Sequence, residues 1–182
     1  MTDPAPDAFS SDRAGNFHAL LRELASGDGV QAGRVIVVRL PAGSINARFV
    51  ALPRPRGLAA DASRILVGPR SRVHAYRNVP AIAARLDPSD AHDAVCVLRN
   101  LHVAGHVDIH EMAFAGSEGR QVNTRFSCLR TLDNDHSFVP RRRPRFVSVC
   151  APEYRCHLNA PVMGGARPRC LTALGESNVR EG

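Results

Sequence analysis

From residue 35 onward, the sequence is a succession of short β-branched or alternating apolar runs that are separated by turn residues. Such runs predict strands, because a strand needs only a few residues of this type between turns. Thirteen prolines and fourteen glycines are scattered through the chain and supply those turns. The predicted strands are Val35–Leu40, Phe49–Leu52, Ile65–Val67, Val73–Tyr76, Val95–Leu98, Val107–Phe114, Cys128–Leu132, Phe146–Val149 and Cys170–Leu174. The pattern predicts an all-β fold of short antiparallel sheets.

One segment has helical spacing instead. Phe17, Leu20, Leu21 and Leu24 fall at i, i+3, i+4 and i+7, which predicts one short N-terminal helix. Residues 1–15, which precede it, are predicted to be a disordered lead, and residues 16–182 a single domain. A helical turn is also predicted at Ala81–Arg85, in the loop after Pro80.

A weak internal repeat runs through the sequence. Its units each consist of an apolar strand, a turn and a second strand, and they begin at Arg56, His110 and Asn159, which are 54 and 49 positions apart. That period suits the blades of a β-propeller, which are sheets of about 40–50 residues. The alternative is an antiparallel meander with coincidental spacing. We expect a partial β-propeller-like arc of about three to four units, whose open strand edges are available for self-association or for a partner protein.

The charge balance bears on partners and on location. The net charge is +7, and all 24 basic residues are arginine. The arginines are spread along the chain, and no aromatic residues interleave with the cluster at residues 141–145, which favours a solvated basic surface over nucleic-acid binding. The first residues do not resemble a secretory signal, and no apolar run approaches the ~20 residues of a membrane span. We therefore expect a cytoplasmic protein with no membrane partner.

Five cysteines, an odd number without a C-x-x-C pair, predict reduced thiols and neither a disulfide framework nor a zinc knuckle. Cys128 alternates with Phe126 and is better explained as a packed strand residue than as a catalytic thiol.

The densest group of ligand-type side chains lies between residues 102 and 111. On a strand, His106, Asp108 and His110 would share one face, because side chains repeat every two residues. With Glu111, this set would suit zinc or another transition metal. The spacing matches no established metal signature, and a solvated strand face explains it equally well.

The repeat suggests a second kind of site. Arg56, His110 and Asn159 occupy equivalent positions, just before the strand that would line a propeller channel. Asn159 and Glu111 would suit calcium or magnesium there, by fold-level analogy with lactonase-type propellers. The charge of Arg56 opposes a simple cation cage and favours an anionic ligand. No cofactor is therefore certain, and a divalent cation is the one candidate.

Several motifs resemble a known family. The segments VNTRFSCLRTLDNDHSFVP, RPRFVSVCAPEYRCHLN and TALGE lie between Val122 and Glu176. Together with QAGR, PRPRGLA, YRNVPA and DIHEMA upstream, they resemble a bacterial family of conserved hypothetical proteins that carry a domain of unknown function. The resemblance implies a propeller-like β fold and no known activity, and it covers the family's N-terminal half. It also adds Asn123, Arg125 and His157, from NTRF and HLN, to the candidate ligand-binding residues Arg56, His110, Glu111 and Asn159.

The sequence assigns no catalytic residues and no reaction. We expect a non-enzymatic module that binds a ligand or a partner, and that is a truncated family member. The alternative is a metal-dependent, lactonase-type hydrolase with its site at the propeller channel, and a third possibility is that this copy has lost its function.

Overall fold

A computed structural model describes residues 8–12, 18–25, 31–39, 46–88 and 92–176 of the chain. Strands account for 56% of the structure, and helix is scarce. The strands are β1 Ala8–Asp12, β2 His18–Ala25, β3 Gln31–Arg39, β4 Asn46–Pro53, β5 Pro55–Ala60, β6 Arg64–Pro69, β7 Arg72–Asn78, β8 His92–Val103, β9 Ile109–Ala115, β10 Glu118–Asn123, β11 Cys128–Thr131, β12 Val139–Arg142, β13 Leu158–Gly164 and β14 Arg167–Ala173. One short helix, α1 (Pro80–Ala83), lies between β7 and β8. The predicted all-β class is confirmed.

These strands form several antiparallel sheets, each of which is essentially a meander. The strand orders are β2-β3-β4, then β1-β8-β7-β6-β5, then β12-β11-β10-β9, and finally β13-β14. Strand β1 joins its sheet at the far edge, where it pairs with β8. None of the sheets in the described part of the chain closes on itself.

Successive sheets contact each other through the strand that begins each meander. We call β2, β5, β9 and β13 the first strands; β2 contacts β5, β5 contacts β9, and β9 contacts β13. A separate apolar cluster fills each sheet-to-sheet interface. Val50 and Leu52 pack with Ile65 and Val67 at the first interface, and the second and third clusters centre on Ile109 and Leu158, which are both almost fully buried.

Glycine is required where β5 meets β9. A Cβ atom placed on Gly57 would lie 2.8 Å from Cγ of Met112 and 2.9 Å from Cγ2 of Ile109. These distances are shorter than carbon atoms tolerate, so only a residue without a side chain lets the two first strands approach this closely. That approach brings the beginnings of β5 and β9 together.

The predicted N-terminal helix is wrong. Residues His18–Ala25 form β2, and every one of them pairs with a residue of β3. The spacing of Leu20, Leu21 and Leu24 suits either structure, and pairing with a strongly β-forming neighbour decided between them. Phe17 lies outside the described residues.

Two further predictions need correction. Residues Ala8–Asp12, within the lead predicted to be disordered, form β1. Phe146–Val149 is not a strand, because the N–H of Val147 donates to the carbonyl of Pro144 at 3.1 Å and closes a turn. The helical turn predicted after Pro80 is present as α1.

All five cysteines lie in described segments, and no disulfide bond joins any two of them. Within the described residues, no helix has the length and apolar character that crossing a membrane requires.

Candidate functional site

Three side chains converge from three consecutive sheets. Arg56, His110 and Asn159 are each the second residue of a first strand, in β5, β9 and β13 respectively. Nη1 of Arg56 donates to Nε2 of His110 at 3.1 Å. The side chain of Asn159 also interacts with His110, and this interaction raises the pKa of the ring. The three repeat positions identified in the sequence therefore meet in space, with His110 in the middle.

The surroundings of His110 favour its neutral form. Its ring lies edge-on to the ring of His157, with 4.9 Å between centroids and 86° between planes. Partial burial lowers the pKa of His110, and the charges of Arg56 and His157 lower it further, while Asp108 and Asn159 act in the opposite direction. A neutral ring with its proton on Nδ1 can accept the hydrogen bond of Arg56 at Nε2.

A buried carboxylate lies beside this trio. Only 7% of Asp108 is exposed. Its Oδ1 is 3.6 Å from Nη1 of Arg56 and 3.6 Å from Nε of Arg70. Its Oδ2 accepts a hydrogen bond of 3.2 Å from the hydroxyl of Tyr154. We call these residues, with His110, His157 and Asn159, the Asp108 site.

The backbone is strained at three positions of the Asp108 site. Asp108, Tyr154 and His157 have φ values of 54°, 51° and 43°, in the left-handed region that residues other than glycine seldom adopt. Neighbouring backbone holds two of them in place. The carbonyl of Asp108 accepts from the N–H of Thr124 at 3.2 Å, and the N–H of Tyr154 donates to the carbonyl of Arg125 at 3.0 Å. Strained residues of this kind concentrate at functional sites.

Glu111 is committed to holding the strands together. Its Oε1 accepts from the backbone N–H of Leu58 at 3.3 Å and from that of Met112 at 2.9 Å. The carboxylate thus joins β5 to β9. Both hydrogen bonds go to Oε1, so this oxygen satisfies backbone donors and is not free to bind a ligand.

Asn123 and Arg125 shape the turn that follows β10. Asn123 is fully buried, and its Oδ1 accepts from the N–H of Phe126 at 3.1 Å. Arg125 donates from Nη1 to the carbonyl of His106 at 3.0 Å. Through the Arg125 carbonyl, this turn also anchors Tyr154, so both residues support the Asp108 site from behind.

The prediction that His106, Asp108 and His110 share a strand face is wrong. Strand β9 begins at Ile109, and the left-handed conformation of Asp108 interrupts the two-residue alternation before it. His106 is exposed, and burial together with the charges of Arg70 and Arg125 lowers its pKa.

The part of the chain that the structure describes contains no assembled metal site. Within the described segments, no group of three or more His, Cys, Asp or Glu side chains is arranged to hold a metal ion. The five residues considered for that role from the sequence were His106, Asp108, His110, Glu111 and Asn159. His110 accepts a bond from Arg56, Asp108 faces two guanidinium groups, and Glu111 binds backbone.

Sequence reasoning missed two members of the Asp108 site. Arg70 follows β6 in a turn, and nothing in its local pattern distinguishes it from the other arginines. Tyr154 had a usable signal, because it is one of only two tyrosines and lies three residues before His157. A large polar aromatic in a loop commonly has a hydrogen-bond partner for its hydroxyl.

A family model described as Domain of unknown function (DUF4915) matches residues 24–182. No match to this chain is found among curated proteins, and none among solved structures.

Proposed function

The chain belongs to the DUF4915 family, whose description names no activity, and we propose from its geometry that it is a non-enzymatic binding module for a small anion. The ligand would bind at the Asp108 site, where β5, β9 and β13 begin. The observation that carries the proposal is that Arg56 and Arg70 both face a single carboxylate oxygen, Oδ1 of Asp108.

The charges of the Asp108 site do not cancel. Two guanidinium groups face one carboxylate, and the lowered pKa of His110 keeps that ring neutral at neutral pH. One positive charge is therefore in excess. An anion is the ligand class that a surplus of guanidinium charge attracts, since guanidinium groups bind carboxylates and phosphates through paired N–H donors.

Exposure determines which charge a ligand meets first. The side chains of Arg56 and Arg70 are 31% and 42% exposed, whereas that of Asp108 is 9% exposed. A solute arriving from solvent therefore contacts guanidinium groups, and the carboxylate lies behind them. Asp108 would act as a positioning group that fixes the two arginines and reduces their mutual repulsion.

We place this site on a partial β-propeller. Four antiparallel sheets follow one another along the chain. Their first strands contact in sequence order, and each interface has its own apolar cluster. In a propeller, the strand that begins each blade lines the central channel. The Asp108 site would then lie at one mouth of that channel, a common position for ligands.

The metal-dependent hydrolase has less support. A cation bound at this site would have to displace Arg56 from His110. It would also have to displace the backbone N–H groups of Leu58 and Met112 from Glu111. It would also experience repulsion from Arg56 and Arg70. A metal assay on purified protein tests this alternative directly: stoichiometric metal that is lost in both His110→Ala and Asn159→Ala would favour the hydrolase over the anion-binding module.

Titration with inorganic phosphate tests the proposal. We expect calorimetry to detect binding, and the His110 C2–H resonance to shift in NMR spectra, because a bound anion raises the pKa of the ring. Arg56→Gln and Arg70→Gln should each weaken binding about tenfold, the loss of one charge-assisted hydrogen bond.

Arg99→Gln is the matched control, because Arg99 is exposed on β8, away from the Asp108 site. It removes the same charge and should leave phosphate affinity unchanged at constant ionic strength. Equal losses in all three variants would mean that net charge alone attracts phosphate, and the proposed site would be rejected.

A further inference from the structure

A cavity is lined by residues outside the set that forms the Asp108 site. It has a volume of about 560 Å³ and is bounded by the segment that follows β12 and by the β13–β14 hairpin. Cavities of about 300–1,000 Å³ accommodate small organic ligands. Its lining combines two kinds of surface, which together define the chemistry of an occupant.

One part of the lining is strongly basic. Arg142, Arg143, Arg145 and Arg169 all border the cavity, and Glu176 is the one carboxylate among the lining residues. Arg143 donates from Nη1 to the carbonyl of Ser148. The other three arginines form no ion pair with a described residue, so the described residues leave most of this positive charge uncompensated.

The remaining lining is apolar. Leu158, which is 1% exposed, lines the cavity together with Phe146 and Leu171, which are both half-buried. The same residues belong to the apolar cluster between the last two sheets. An occupant could therefore extend that cluster with an apolar body while its charged group contacts the arginines.

We propose that this cavity is a second binding site, which takes a small organic anion with an apolar body, such as an aryl or alkyl phosphate. Guanidinium groups would hold the phosphate, and Phe146, Leu158 and Leu171 would contact the carbon skeleton. The inference is independent of the function proposed for the Asp108 site, since the two sites share no arginine.

The lining of the cavity distinguishes this ligand from nucleic acid. A single-stranded oligonucleotide needs a basic groove with several exposed aromatic platforms for its bases. Here Phe146 is the one aromatic residue among the lining side chains, and it is half-buried. The cavity therefore favours one compact ligand.

Calorimetry of the full chain with phenyl phosphate tests the proposal. Because the Asp108 site is itself expected to bind inorganic phosphate, this comparison uses the double variant Arg56→Gln/Arg70→Gln. In that variant, inorganic phosphate and phenol, which each present one half of the ligand, should both bind at least about tenfold more weakly than phenyl phosphate. Arg145→Gln and Arg169→Gln should each weaken phenyl phosphate binding about tenfold. Both side chains are exposed, so neither change should unfold the protein, and circular dichroism checks this.

Two control variants separate the cavity from the rest of the surface. Arg99→Gln tests non-specific charge, and Arg56→Gln tests the Asp108 site; neither should change phenyl phosphate affinity. The proposal is overturned if Arg145→Gln and Arg169→Gln bind as the parent does, if either control loses as much affinity, or if inorganic phosphate binds as tightly as phenyl phosphate in Arg56→Gln/Arg70→Gln. Arginine-dependent binding of a short oligothymidylate without binding of phenyl phosphate would also overturn it.

Discussion

Arg56 and His110 are 54 residues apart in sequence, and Nη1 of Arg56 donates a hydrogen bond of 3.1 Å to Nε2 of His110. The contact joins the beginnings of β5 and β9, two strands that belong to different sheets. It requires a neutral imidazole, because a protonated ring has no acceptor nitrogen. The position of one first strand against the next is thus linked to the protonation state of a single histidine.

Removing the charge of Arg56 should raise the pKa of His110. Burial is the largest cause of the lowered pKa and Arg56 is the next. Arg56→Gln removes the second cause and leaves burial nearly unchanged, so the pKa should move back toward 6.5 without reaching it. The C2–H resonance of His110, followed by NMR across pH, measures this directly, and Arg99→Gln is the control. An unchanged pKa in Arg56→Gln would show that burial alone sets it.

The same histidine makes stability depend on pH. Because the pKa of His110 in the folded state is below 6.5, the unfolded chain binds more protons between that pKa and about 6.5. Stability is therefore fully present above 6.5 and is lost as the pH falls through this window. His102 and His106 have lowered pKa values too. His110→Gln should reduce the slope of unfolding free energy against pH without abolishing it; an unaltered slope would contradict the assignment.

Asp108→Asn should destabilise the fold while keeping the backbone. Asparagine tolerates the left-handed conformation at this position, so the principal loss is the negative charge facing Arg56 and Arg70. Because both arginines are partly exposed, we expect a loss of about 1–3 kcal/mol in urea unfolding. Asp108→Ala should cost more, since alanine also resists a φ of 54°. Equal stability of Asp108→Asn and the parent would mean that the carboxylate does not restrain the arginines.

Gly57→Ala should overpack the junction of β5 and β9. The new Cβ would lie within 3.0 Å of side-chain carbons of both Met112 and Ile109. Neither carbon is the free end of a flexible chain, so the strands must separate, at a cost of about 1–3 kcal/mol. Gly175→Ala is the control, because no atom lies within 4 Å of its added Cβ, and its effect should be below about 0.5 kcal/mol. Matching unfolding midpoints for the two variants would refute the close approach.

Arg130 should be replaceable by an apolar residue of similar size. It is fully buried, burial lowers its pKa to about 10, and its Nε and Nη2 have no partner among the described residues. Replacing Arg130 removes an uncompensated buried charge. The stability gained in this way offsets the loss of the contacts that Arg130 makes with Ser137 and Phe138. We expect Arg130→Met to lie within about 1 kcal/mol of the parent or to be more stable. Arg130→Ala should lose about 2–5 kcal/mol through the cavity it leaves. A methionine variant as unstable as the alanine variant would show that the guanidinium stabilises the fold.

The internal repeat of the sequence predicted some of the residues of the Asp108 site. The spacing of Arg56, His110 and Asn159 placed them at equivalent points of three units, and the structure brings them together. Equivalent positions in successive sheets necessarily meet when those sheets pack through their first strands. The partnership of Arg70 and Tyr154 with Asp108 had no such periodic signal, because turns supply both residues. Their positions follow from loop conformations that only the packed sheets determine.

The alternation of short β-forming runs and turn residues determined by itself that this chain is mostly β, because strand formation needs only local composition and a neighbour with which to pair. Tertiary structure decided which segments pair. It turned the helical spacing of Leu20, Leu21 and Leu24 into a strand beside β3, and it placed Asp108 in a left-handed conformation that ended the predicted strand face. The reason is energetic: hydrogen bonds and packing between distant segments outweigh local preferences of a few tenths of a kcal/mol per residue.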